Sequence, residues 1–102
     1  MSPRQNLNII SSVQLSIMTA LFGEITPNLR AVILNVIGNS IKIISYYDGI
    51  IDENLREDVS CMETEVMADF SEEYEIEWKA VRLDFPEEIK LGDAYYVMKR
   101  KE

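Results

Sequence analysis

The stretch LRAVILNVIGNSIKIISYY, residues 29–47, decides how the rest of the chain can fold. Leu29 to Ile37 and Ile41 to Tyr47 are dense in β-branched and aromatic residues, which suit the pleated surface of a sheet. Gly38-Asn39 between them has the composition of a two-residue hairpin turn. Apart from Arg30 and Asn35 the first run is apolar throughout, so it reads as a central strand covered on both faces. Tyr46, Tyr47, Asp48 and Gly49 lead out of the second run into a turn.

Upstream, the pattern predicts a helix from Pro3 to about Phe22. Ser2 can cap it, Pro3 suits its first position and Gln5 completes a capping-box spacing. Gly23 ends it, and Pro27 prevents its resumption. At helical spacing Leu7, Ile10, Val13, Ile17, Met18 and Leu21 share one broad face, with Asn8, Ser12, Ser16 and Thr19 opposite. That polar back carries no charge. It suits burial between the sheet and a second helix, or a self-association face in which Asn8, Ser12 and Ser16 meet another copy. Gln5 to Gly23 is uncharged and long enough to span a bilayer. Gln5, Asn6, Asn8, Ser11, Ser12, Gln14, Ser16 and Thr19 are too many polar residues for a membrane helix. They also break up the apolar run that a signal peptide needs, and no small-x-small cleavage site follows. The expected location is therefore the cytoplasm.

Downstream, Asp52 precedes a predicted helix over Glu53 to Phe70 whose core stripe is Leu55, Val59, Met62, Val66 and Phe70. Glu53 and Glu57 lie in its first turns, where they complement the helix dipole. Its outer side carries a strip of small residues, Ser60, Cys61, Thr64 and Ala68, flanked by Glu63, Glu65 and Asp69. This strip could receive the first helix or a foreign protein. Tyr74 to Leu83 alternates as a strand, with Tyr74, Ile76 and Trp78 on one side and Glu75, Glu77 and Lys79 on the other. The alternation slips at Ala80-Val81, which predicts a bulge. Pro86 stops the strand, and Ala94 to Lys99 forms a last short one. The order αββαββ implies an α+β fold: a four-stranded, mainly antiparallel sheet with two helices packed on it.

The 102 residues fit one domain, and 47% hydrophobic with 27% charged is a globular balance. The net charge of −8 argues against direct binding to nucleic acid or anionic membranes, both of which want a basic surface. A basic protein partner suits it better, reached by electrostatic steering. The charge is concentrated. Residues 1–47 hold Arg4, Arg30 and Lys42 against Glu24, while residues 48–77 hold twelve acids and one base, Arg56. Such a run is either a solvated surface that keeps a small protein soluble or a docking surface. Its concentration in one helix and the start of one strand favours docking. The contact set read from it is Glu53, Glu57, Glu63, Glu65, Asp69, Glu72, Glu73, Glu75 and Glu77, with Glu63, Glu65 and Asp69 foremost.

The chemistry of catalysis is thinly represented. There is no histidine, which removes the commonest general base and metal ligand. Cys61 is the single cysteine, on the outward side of its helix, so no internal disulfide forms and a reducing compartment fits. Glycines stand isolated at positions 23, 38, 49 and 92, and no phosphate or calcium loop is present. The chain is therefore expected to be no enzyme and to need no cofactor or metal. An enzyme working with carboxylates alone is the weaker alternative. Met18, Met62, Met67 and Met98 read as core filler. Trp78 with Tyr74 reads as core too, because base stacking wants basic neighbours and these have Glu75 and Glu77.

Four segments carry a family resemblance. They are Thr26-Pro27-Asn28-Leu29-Arg30-Ala31-Val32, Tyr46-Tyr47-Asp48-Gly49, Thr64-Glu65-Val66-Met67-Ala68-Asp69-Phe70 and Val81-Arg82-Leu83-Asp84. Together they resemble small bacterial immunity proteins, encoded beside polymorphic toxins that include those of contact-dependent growth inhibition. The resemblance covers residues 20–90 or so and implies one immunity-protein-like domain over residues 1–102. It implies a cytoplasmic antidote that binds the C-terminal domain of one toxin and blocks its active site or its access to a target. Many such toxins are nucleases with basic active-site surfaces, which an acidic antidote can occupy as a phosphate mimic. Contact residues do not carry over within such families. The chain is expected to be a monomer or a weak homodimer, the competing picture being an assembly subunit that associates through its first helix.

Overall fold

A computed structural model describes residues 3–102 of the chain, with side chains described from Ile9 onward. The expected Ser2 cap, the Gln5 arm of the capping box and the side chains of Leu7 and Asn8 lie outside the described residues. The elements are α1 (Pro3–Leu21), β1 (Leu29–Ile37), β2 (Ser40–Tyr47), α2 (Glu53–Ala68), β3 (Glu75–Arg82) and β4 (Tyr95–Lys99). The four strands form one sheet in the order β3-β2-β1-β4. The αββαββ order and the α+β class are those read from the sequence.

The hairpin forms as expected. Ile37 pairs with Ser40, and Gly38 takes φ +58° while no non-glycine described residue has positive φ. A positive φ at the first central position alone is the type II′ pattern, whose twist matches that of the flanking strands. β1 pairs antiparallel with β2 on one side and β4 on the other, so it is central. β2 and β3 run parallel, because α2 carries the chain back across the sheet between them. No bulge occurs at Ala80-Val81: the ladder runs unbroken from Ser40↔Glu75 to Tyr47↔Arg82. Ala80 and Val81 are both half-buried because each face of β3 is partly covered there, and this erased the polar alternation. The irregularities lie elsewhere: Arg30 of β1 is the extra residue against β2, between Leu29 and Ala31, and Val97 of β4 is the extra residue opposite Val32 and Ile33.

Both helices pack on one face of the sheet. Val13, Ile17, Ala20 and Leu21 of α1 share one core cluster with Val59, Met62 and Val66 of α2. The same cluster takes Val32 and Leu34 of β1, Ile41, Ile43 and Tyr47 of β2, and Trp78 of β3. The indole Nε1–H of Trp78 donates to the buried Ser45 Oγ at 3.0 Å, so Trp78 is core with its polar atom satisfied. Two methionines expected inside are outside: Met18 is 57% and Met67 48% exposed. Small residues displaced Met18. Where α1 meets α2, close approach favours Ser16 and Ala20, and Ser16 Oγ donates to Asp69 at 2.5 Å. The polar back of α1 is not buried as a whole, since Ser11, Ser12 and Thr19 are exposed. Helix α2 ends at Ala68 with Asp69 as its C-cap, short of the expected Phe70. Phe70 still packs against the core, edge-on to Tyr74.

The connection from β3 to β4 must pass from one edge of the sheet to the other. It is pinned at the end where β1 begins. Asp84 accepts from the Gly49 N–H and Asp48 accepts from the Phe85 N–H, both at 2.6 Å. Arg30, one of the two exceptions noted in β1, is 2% exposed. Its guanidinium donates to both oxygens of Glu102 at 2.8 and 2.9 Å and to the Leu83 carbonyl at 2.6 Å. That bond to Arg30 holds the Glu102 carboxyl down at about 2. Asp48 is also held below the usual carboxylate range, chiefly by the Phe85 N–H and then by Arg100.

Candidate functional site

The nine acids read as a contact set do not form one patch. Asp52 accepts from the Leu55 N–H at 2.8 Å and starts α2. Glu53 and Glu57 follow at helical spacing, exposed on the side away from the core stripe. Glu65 and Asp69, also four apart, lie on the side of α2 that meets α1, as the Ser16–Asp69 bond shows. Glu63 lies on the other side, towards β3, and its carboxylate accepts from the Trp78 N–H at 2.9 Å. Glu72 and Glu73 stand exposed in the turn that follows, where Glu73 accepts from Ser71 at 3.2 Å.

Glu75 and Glu77 point the opposite way from α2. Trp78 is in the helix-side core, so its neighbours on the strand face the far side of the sheet. There Glu77 pairs with Lys79 at 3.0 Å. Glu63 on one side and Glu75 and Glu77 on the other thus flank β3, an edge strand. Two of the three foremost carboxylates also have internal work. Glu63 ties α2 to β3, and Asp69 ties α2 to α1. Among the described residues, Glu53, Glu57, Glu65, Glu72 and Glu75 form no side-chain hydrogen bond or ion pair.

The small strip of α2 receives nothing from the described residues: Ser60, Cys61, Thr64 and Ala68 are all exposed. Beside it runs an open groove of about 480 Å³ between α2 and β3. Arg56, Ser60 and Glu63 form one wall, and Trp78 to Val81 the other. Sequence reasoning passed over Arg56, although its being the sole base among residues 48–77 marked it. A second surface was also missed. Leu15, Met18 and Phe22 are 67%, 57% and 90% exposed, and their spacing of three and four lines them up along α1 and the turn just past its end. Their helix has no charge from Gln5 onward, and this was the available signal.

Among the described residues no group of three or more His, Cys, Asp or Glu side chains is placed to hold a metal ion. No described helix is long and apolar enough to cross a membrane. What the surface offers is carboxylates around an edge strand, one cation in a groove and one apolar helix stripe. No curated protein matches the chain. A family model described as MafI2 immunity protein matches residues 10–102.

Proposed function

The chain belongs to the MafI2 immunity protein family, and from that membership we propose that it neutralises one cognate toxin domain by one-to-one binding, without chemistry of its own. The observation that carries this reading is the family match over residues 10–102. The partner in this reading is the C-terminal domain of a toxin, met in the cytoplasm, with a basic docking surface such as a nuclease presents to phosphates. The concentration of acids on α2 and around β3 supports it, since opposite charge steers encounter and suppresses wrong partners.

The reading assigns the docking charge first to Glu53, Glu57, Glu65 and Glu72, which have no partner within the described residues. Glu63, Asp69, Glu73, Glu75 and Glu77 lie at its margins, and several of them are partly engaged. Changing Glu53, Glu57, Glu65 and Glu72 to Gln should slow association with the toxin domain by roughly an order of magnitude or more and flatten its salt dependence. Unchanged association at low salt defeats this surface. The four positions are exposed, so the variant should melt as the parent does.

A second reading is an assembly subunit that associates through α1. The exposed stripe of Leu15, Met18 and Phe22 favours it, because contiguous exposed apolar residues mark contact sites. Sedimentation at micromolar concentration separates the two: dimers lost on changing these three residues to Ser support it, and a clean monomer removes it.

A further inference from the structure

We infer that the outer edge of β3 is the centre of the partner interface, and that it accepts a short extended segment of the toxin carrying an acidic side chain. This rests on the reading of the chain as a toxin-binding protein.

The backbone of β3 shows which groups are open. The Glu75 N–H donates to the Asn39 carbonyl and the Leu83 N–H to the Tyr47 carbonyl, each at 2.9 Å. Odd-numbered residues of the strand therefore turn their backbone groups towards β2. In a parallel ladder the alternate residues turn theirs the other way. The Trp78 N–H does so and meets Glu63. Ala80 and Arg82 share that outward parity, and no strand lies beyond β3. Their N–H groups find no acceptor among the described residues. Glu63 thus closes one rung of the edge, as proteins commonly protect edge strands, and leaves the next two rungs open.

An open groove of about 480 Å³ runs alongside. Its walls are Arg56 and Ser60 of α2 and the strand itself from Trp78 to Val81. Arg56 forms no ion pair within the described residues. A strand added to β3 would place one side-chain row beside this guanidinium, where a carboxylate on the segment can pair with it. The flanking acids fit the same placement. Glu63 lies at the edge on the α2 side and Glu75 and Glu77 on the far face of the sheet, so a partner seated on the edge meets both.

The test uses the toxin domain encoded beside this chain as the probe, with affinity and amide hydrogen exchange as readouts. In the free chain, the Ala80 and Arg82 amides should exchange faster than those of Lys79 and Val81, which bond β2. Complex formation should slow them selectively. Ala80→Pro removes one outward donor at a position where an edge strand tolerates proline, and should weaken binding roughly tenfold. Arg56→Glu, on an exposed helix side, should weaken it at least as much and raise the dissociation rate. If the toxin binds both variants like the parent and the two amides stay unprotected, the edge is not the interface, while the immunity reading stands. If the parent chain does not bind the toxin at all, both fail.

Discussion

Trp78 can lie in the core because Ser45, on the neighbouring strand, takes its indole N–H at 3.0 Å. Ser45→Ala should therefore cost about 1–3 kcal/mol in denaturant unfolding, since it strands a buried donor. Adding Trp78→Phe should not compound that loss in proportion, because both polar partners are then gone. The Arg30–Glu102 pair makes a pH prediction. The bond to Arg30 holds the Glu102 carboxyl at about 2, below its ordinary 4.5, so the folded state binds its proton less readily than the unfolded state. Its contribution is complete above the unfolded value and fades as pH falls from about 4.5 towards 2. Glu102→Gln should lower the melting temperature at neutral pH and reduce the difference between pH 7 and pH 3, measured by thermal unfolding. An equally steep acid loss in the variant would assign it to Asp48 and Asp84, which are also held low. At this scale the sequence was only half legible. Trp78 read correctly as core, and Arg30 was noticed as an oddity in an apolar strand. Its partner, 72 residues away, had no local signal.

The elements were legible where capping chemistry is local. Asp52 starts α2 as expected, and Asp52→Ala should cost about 1 kcal/mol by chemical denaturation, because the Leu55 N–H loses its acceptor. A loss near zero would mean that packing alone sets the helix start. Gly23, at φ +82°, follows the end of α1, and the Gly38 turn fixes the register of β1 against β2. The misreadings came where a residue's surroundings belong to another element. Met18 matched the apolar spacing of α1, but the narrow contact with α2 selected Ser16 and Ala20. The slip at Ala80-Val81 imitated a bulge, although Val81 only faces a partly covered side of the sheet. Strand order was the larger gap. Nothing in Tyr74 to Leu83 says that it pairs parallel with β2 at the sheet's edge, and the candidate interface depends on that position.

Across the whole molecule, the charge division survives folding but changes its meaning. The acidic run does not fold into one patch: Glu63, Glu75 and Glu77 flank an edge strand with Arg56 in the groove beside it, while Glu65 and Asp69 lie on the α1 side of α2. The weakly charged N-terminal part contributes α1, whose outer stripe is apolar. Family membership supplies what no arrangement of these residues could by itself, a toxin to be neutralised. The central claim is that neutralisation works by stoichiometric binding. It is tested most directly by titrating the toxin domain's activity with the purified chain at concentrations well above their dissociation constant. Activity should fall linearly and reach its end point at one chain per toxin. Full toxin activity in the presence of excess chain, or inactivation by far less than one equivalent, would contradict it.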